Sequence, residues 1–261
     1  MRKGFDILFP LLLGAVLLAL WEWIVAARQI PPYVLPAPSA ILQAFLDNFS
    51  SLMASMLATL RVTVEAFAAA LIAGVATAIL FSQSRLAERA LYPYAVILQV
   101  TPVVAIAPLI LIWVGFERIN TALVLIAALV AFFPILSNTA LGLKSADFNL
   151  MDLMRLYGAS RWQILWRLQL PTALPYLLGA CRIAGGLALI GAVVAEFVAG
   201  SGTATGLAWR IIEAGNRLQI ATMFAALALL ALLGVAIFAA LSGLEYFLLR
   251  RWHESALKRP L

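Results

Sequence analysis

The stretch 144–175, KSADFNLMDLMRLYGASRWQILWRLQLPTALP, interrupts long apolar runs with charge, and its reading decides what kind of molecule this is. Local signals divide it into two short helices joined at a glycine. Asp147 is placed to cap the first, after which Leu150, Leu153, Met154 and Tyr157 recur at the three-four spacing of one apolar face. Asn149, Asp152 and Arg155 fall on the other side. Gly158 supplies the left-handed residue that ends a helix with least strain, and Ser160 with Gln163 forms the capping box of a second helix through Trp162, Ile164 and Leu165. Pro171 and Pro175 are expected to stop it. Two readings fit these residues: an elbow that lays its apolar face in a groove on another protein, or an amphipathic loop lying on a membrane surface.

Outward from this stretch the chain is apolar. Its 261 residues are 64% hydrophobic and only 11% charged, with a mean hydropathy of +1.02. Soluble domains run nearer ~45–50% apolar, so the composition indicates an all-α polytopic membrane protein. A pI near 9.9 and a formal charge of +6 would suit nucleic-acid binding, but the charges sit between apolar runs and form no patch, so no nucleic-acid partner is expected. A span of the bilayer needs about 20 mostly apolar residues. Six segments qualify: 7–27, 62–81, 92–114, 121–141, 176–199 and 221–241.

Basic residues set the orientation. With the amino terminus inside, Arg2, Lys3, Arg85, Arg89, Lys144, Arg155, Arg161, Arg167, Arg250, Arg251, Lys258 and Arg259 face the cytoplasm. Only Arg28, Arg61, Arg118, Arg210 and Arg217 face out, and twelve against five satisfies the positive-inside rule. Both termini and the 144–175 elbow are therefore expected in the cytoplasm. The opening MRKGFDILFPLLLGAVLL has the charged-then-apolar order of a signal peptide. No small-residue cleavage signature follows cleanly, and Trp21 and Trp23 stand at its far end as interfacial anchors, so it reads as a retained helix.

The longest outer connection, 29–60, opens with the extended PPYVLPAP and continues as a short amphipathic surface helix at 41–49. Arg61 stands four residues before Glu65, a spacing that lets the two neutralise each other near the membrane boundary. Pro93, Pro102 and Pro108 break up the third span and Pro134 interrupts the fourth. The freed carbonyls would be costly against lipid, so Pro102 and Pro108 are candidates for a span that faces other helices or a water-filled path. Gly179, Gly185, Gly186 and Gly191 make the fifth span the expected place of close helix or subunit packing. The segment 200–219, with its SGTATG, reads as a flexible outer loop carrying Trp209 and Ile211. It is not a phosphate loop, because no Gly-Lys pair occurs anywhere in the chain.

Chemistry finds little material. His253 is the single histidine and lies in the basic tail, and the single cysteine, Cys181, lies in an apolar run, so no catalytic, metal or intrachain disulfide site is expected. No nucleophile-elbow motif occurs and no carboxylate pair sits at close spacing within a span, which weighs against an enzyme. Glu22, Glu65 and Glu196 lie toward the outer ends of spans, and Arg182 lies about 9 Å inside the start of its own. Boundary placement and snorkelling account for Glu22, Glu65 and Arg182; a functional intramembrane charge is the other reading.

The pattern Asp152-Leu153-Met154, then Gly158-Ala159-Ser160, followed by LPTALP and CRIAGGLALIGAVVAE, resembles the cytoplasmic coupling loop of binding-protein-dependent permeases. These are the membrane subunits of ATP-binding-cassette (ABC) importers, and the likeness is to the nitrate, sulfonate and taurine branch. It covers nearly the whole chain, with YVLPAPSAILQAF, TPVVAIAPLILIWVGF and VVAEFVAGSGTATGLAW in the expected order. Where that family usually has Glu-Ala-Ala, Asp152, Leu153 and Met154 keep the acid and enlarge the apolar face.

The resemblance implies a single permease domain over 1–261, with a coupling loop at about 144–175, in a bacterial inner membrane. It implies a homodimer with a path on its twofold axis, two separate ATPase subunits that carry ATP and Mg, and an extracytoplasmic solute-binding protein. This chain itself would hold no cofactor. Leu150, Asp152, Leu153, Met154, Arg155, Tyr157, Gly158, Ala159 and Ser160 would form the ATPase-coupling surface, and Glu196, within VVAE, a structural or gating residue near the outer mouth. The implied solute is a small anion such as a sulfonate, taurine or nitrate, or a thiamine-precursor pyrimidine or related heterocycle. A proton-coupled secondary transporter is the alternative and would need a titratable pair deep in the bilayer. A membrane-embedded enzyme or assembly scaffold is the third reading.

Overall fold

Two helices, α6 (Ile119–Lys144) and α9 (Leu170–Ala199), pair extensively, and glycine is the reason. A Cβ on Gly142 would come within 2.9 Å of the Ala173 Cα, and one on Gly191 within 2.7 Å of the Ala127 Cα. With only hydrogen at those positions the two helices run antiparallel with backbone against backbone. At Gly185 the close neighbour is a side chain of α11 (Ile220–Leu249), since a Cβ there would overlap the end of Leu241. Gly179 and Gly186, expected to pack closely too, have nothing within 4 Å of an added Cβ. They lie on the other side of α9.

The computed structural model describes residues 2–200 and 205–250. Among them all regular structure is helical. His253, Arg251, Lys258, Arg259 and part of the SGTATG segment lie outside the described residues. The chain divides into two compact units, Met1–Ala58 with Thr205–Ala231, and Thr59–Ala204 with Leu232–Leu261.

In the second unit, α3 (Phe49–Gln83) from Thr59 onward packs with α5 (Val103–Val114), α6 and α9 around Ala66, Ala107, Ile126, Ala127 and Ala192, and, a layer along, Ala70, Ile135, Ala184 and Ala188. Small side chains at these contacts gain dispersion where lipid offers no hydrophobic drive.

Among the described residues five helices are long and apolar enough to cross a membrane: Leu8–Ala27, Phe49–Gln83, Ile119–Lys144, Arg161–Ala199 and Ile220–Leu249. The expected third span, 92–114, is instead a bent pair, α4 (Arg85–Val100) and α5, meeting at 104°. The cause is Pro102. Its ring bars the helical region to the residue before it, and Thr101 takes φ −70° and ψ 125° accordingly. Pro93, Pro108 and Pro134 stay inside helices, so the fourth span is not interrupted.

Pro171 and Pro175 do not stop the helix that begins after the elbow. It runs on through α8 (Arg161–Ile164), a π turn (Leu165–Gln169) and α9. The Leu170 N–H donates to the Leu165 carbonyl, five residues back. Widening the ladder by one residue just before Pro171 makes room for the proline ring, and the helix continues. The segment 200–219 is also not all loop: α10 spans Leu207–Asn216 and contains Trp209 and Ile211. Glu213 pairs with Arg210 at 2.6 Å and Arg217 at 2.9 Å, the three and four spacings that support a helix.

In the first unit, α1 (Arg2–Ala27) is followed by α2 (Pro38–Asp47), close to the surface helix expected at 41–49. Its N-cap residue, Ala37, has no side chain that can cap. Glu22 of α1 serves instead, accepting from the Ser39 N–H at 3.0 Å and the Ser39 hydroxyl at 2.7 Å. A carboxylate there satisfies an orphan donor and meets the positive end of the helix dipole.

Replacing Gly191 by Val forces backbone apart and overpacks the α6–α9 contact by about 2 kcal/mol. Thermal unfolding of the detergent-solubilised protein then falls by about 5 °C, at ~2–4 °C per kcal/mol for a chain of this size. Gly186→Ala, on the open side, leaves the midpoint unchanged.

Candidate functional site

Between α6 and α8 the chain forms the expected elbow, and each of its helix ends is closed by a specific bond. α7 spans Phe148–Leu156 and begins with Asp147, whose Oδ1 accepts the Asn149 N–H at 2.7 Å. At its other end Gly158 takes φ 76°. The Gly158 N–H donates to the Arg155 carbonyl and the Ala159 N–H to the Met154 carbonyl, both at 2.9 Å. This is the paired bonding of a Schellman stop, which places glycine at the left-handed position. Ser160 then opens α8: its Oγ accepts the Gln163 N–H at 3.3 Å, and Gln163 Oε1 accepts the Ser160 N–H at 2.7 Å.

The elbow is anchored on its inner side. Ile164 and Leu165 are buried, the latter in a cluster with Leu143 and Ala173. Gln169 Nε2 donates to the Leu143 carbonyl at 3.3 Å, and Lys144 forms an ion pair with Glu88 of α4.

Its outer side is bare. No residue of α7 is buried. Leu150, Leu153 and Tyr157 are exposed as the spacing predicts, with Met154 and Ala159 half-buried. Phe148 and Leu156, which the three-four rule left out, are exposed as well, Leu156 at 86%. Asp152 and Arg155 pair with each other at 2.9 Å, and Ser160 is exposed beside them. Five large apolar side chains thus stand exposed together on one short helix and its C-cap, a larger apolar patch than scattered surface residues make.

The remaining candidates lie elsewhere. Pro102 sits at the 104° bend and Pro108 inside α5, whose Ala107 and Leu111 are buried in the core shared with α6 and α9. Glu196 is 1% exposed, and its Oε1 accepts the Thr59 hydroxyl at 2.8 Å. Thr63 in turn donates to the Thr59 carbonyl at 2.8 Å. Sequence reading missed Thr59 because its partner is 137 residues away, and no local periodicity reports such a pair. Arg61 and Glu65 pair at 2.8 Å as their spacing predicts, with Arg61 largely exposed. Arg182, read as snorkelling or functional, pairs with Glu245 of α11 at 3.3 Å and lies 5.6 Å over the Phe238 ring. The signal for that pair was Glu245 itself, an acid inside an apolar helix.

Residues 66–255 match the family described as binding-protein-dependent transport system inner membrane component. The chain belongs to that family. The permease is 35% identical over 251 residues to the formylaminopyrimidine transport permease protein ThiX of Halalkalibacterium halodurans, covering 95% of this chain and 98% of that one. It is 38% identical to the riboflavin transport system permease protein RibX of Chloroflexus aurantiacus, covering 92% and 88%, and 31% identical to the taurine transport system permease protein TauC of Escherichia coli, covering 92% and 87%. Its fold is shared with a chain of a solved amino acid ABC transporter at a TM-score of 0.64 and 17% identity, over 80% of the permease and 97% of that chain. The protein is thus a multi-pass permease subunit of an ABC transport system for small solutes.

Thr59→Val removes a hydrogen bond to a buried carboxylate, a loss of about 2 kcal/mol. The unfolding midpoint of the permease falls by about 5 °C at ~2–4 °C per kcal/mol, whereas Thr59→Ser, which keeps the donor, stays near wild type.

Proposed function

We propose that the permease is the membrane half of an ATP-driven importer, in which α7 and its glycine stop form the lever gripped by two separate ATPase subunits. The observation that carries this reading is the exposed row Phe148, Leu150, Leu153, Leu156 and Tyr157 on a helix whose two ends are bonded shut. A groove on a partner removes that row from water, and the closed ends let the helix move as one piece. Met154 and Ala159, half-buried behind it, and the Asp152–Arg155 pair shape the rim of the contact.

ATP and Mg are held by the ATPase subunits, and this chain contributes no catalytic residue. Closure of those subunits shifts the elbow, and the spans alternate between outward and inward openings. A second copy of the permease completes the path on a twofold axis, with the bend at Pro102, Pro108 within α5 and the Glu196 end of α9 beside it. An extracytoplasmic binding protein delivers the solute. The excess of basic residues on one side supports placing the elbow and both termini in the cytoplasm.

For the solute, we infer a small nitrogen heterocycle. The support is that relatives named for formylaminopyrimidine and riboflavin transport, at 35% and 38% identity, are more similar than the one named for taurine transport, at 31%. A small sulfonated anion is the second reading, and the taurine relative favours it. Against a proton-coupled secondary transporter stands the position of Glu196, close to the end of α9 at Ala199 and away from mid-span.

Gly158→Glu leaves the protein inserted in the membrane but abolishes ATPase co-purification, because a side chain at φ 76° strains the stop by about 1–2 kcal/mol and brings charge to an apolar contact. Leu156→Asp weakens ATPase capture about thirtyfold, the effect of a ~2 kcal/mol hot spot. Uptake assays with the neighbouring ATPase and binding protein supply the functional readout; normal ATP-driven uptake by Gly158→Glu would overturn the lever.

A further inference from the structure

Beside the elbow lies a cleft of about 820 Å³ whose walls include none of the five exposed apolar side chains of the proposed lever. Arg85 enters it from the start of α4, Arg155 from α7 and Arg161 from the start of α8, with Ser84 and Gln169 completing a polar wall. Among the described residues no acidic one lines it. Arg155 is answered by Asp152, but no carboxylate among the described residues pairs with Arg85 or Arg161. Glu88, one turn into α4, is taken by Lys144. Guanidinium groups brought from three separate elements to one concavity repel one another, and a bound anion reverses that balance.

We propose that this cleft binds a phosphate group, on a phospholipid headgroup or as a free phosphate. Arginine presents a planar fork of donors that matches two phosphate oxygens at once. Depth agrees. The apolar run of α3 ends at the buried Phe81 and gives way to Ser82, Gln83 and Ser84, so the cleft opens where the hydrocarbon layer stops and headgroups begin. Its volume exceeds that of a lone phosphate and admits a whole headgroup. The inference rests on these positions and on the apolar helices, and not on the identity of any partner subunit.

The test uses the full-length permease in nanodiscs of phosphatidylcholine with graded phosphatidylglycerol, followed by native mass spectrometry of lipid retained on the protein. Wild type retains phosphatidylglycerol selectively, and Arg85→Gln/Arg161→Gln loses that retention roughly thirtyfold, about fivefold per arginine. Arg85→Gln alone, at an exposed position that leaves the fold intact, loses about fivefold, and Arg85→Lys keeps most of it. Inorganic phosphate added at millimolar concentration separates the sources. If it displaces nothing, the ligand is the lipid headgroup; if it binds in phosphatidylcholine alone and the double variant abolishes that binding, the ligand is free phosphate. Equal retention of both lipids by wild type and variants, with no phosphate binding, overturns the proposal.

Discussion

The permease depends on how closely α6 and α9 approach. At Gly142 against Ala173 and at Gly191 against Ala127, one helix leaves no room for even a methyl group on the other. Ala173 and Gly191 stand about 27 Å apart along α9 at 1.5 Å per residue, near the ~30 Å thickness of a hydrocarbon core. The pair is therefore pinned at both faces of the membrane, and everything attached to its ends inherits that fixity. In lipid no hydrophobic force holds two helices together, so contact has to come from fit, and glycine facing alanine gives the closest fit available.

The elbow is the link between these two helices. Because α6 and α9 are locked, the chain between Lys144 and Leu170 has fixed ends, and its own conformation is settled by local bonds: Asp147 onto Asn149, the double bond around Gly158, and the reciprocal pair of Ser160 and Gln163. None of these needs a partner. What these bonds leave uncovered includes the exposed apolar side chains on α7, and that is what gives the surface its meaning.

Much of this was legible in the residues, and the division between what was and was not is physical. Caps and stops are short-range, written within three or four residues, and Asp147, Gly158 and Ser160 do in the structure what their neighbours imply. The family resemblance carried by the elbow was likewise sufficient to identify the family. Errors arose where a local rule met a longer-range accommodation. Pro171 breaks helices in general, but a π turn before it absorbs the ring and the helix goes on. Glycine around 200–206 drew attention from Arg210, Glu213 and Arg217, whose spacing supports α10. Glu22 and Glu196 looked alike as acids near span ends, yet one accepts from the start of a surface helix and the other from Thr59 inside the core. Pairs so distant in sequence leave no pattern to read.

The continuity through Pro171 bears most on mechanism. Had the prolines stopped the helix, a displaced elbow would have bent a hinge near residue 171, and the spans would have been left in place. As it is, Arg161 to Ala199 forms one helical run of 39 residues, about 58 Å at the usual rise. In the proposed mechanism a push on the elbow would enter at Arg161, pass the π turn, where the ladder is already widened, and reach Glu196 close to the far end. There the carboxylate is bonded to Thr59, which would carry the displacement on to α3. In the proposed mechanism the π turn is the one place along this rod where bending meets least resistance, since its bonds are the least regular. The buried Leu165 and the Gln169 bond to Leu143 brace that same turn against α6. The rod's weakest point is thus held by the helix pair that the whole protein is built on.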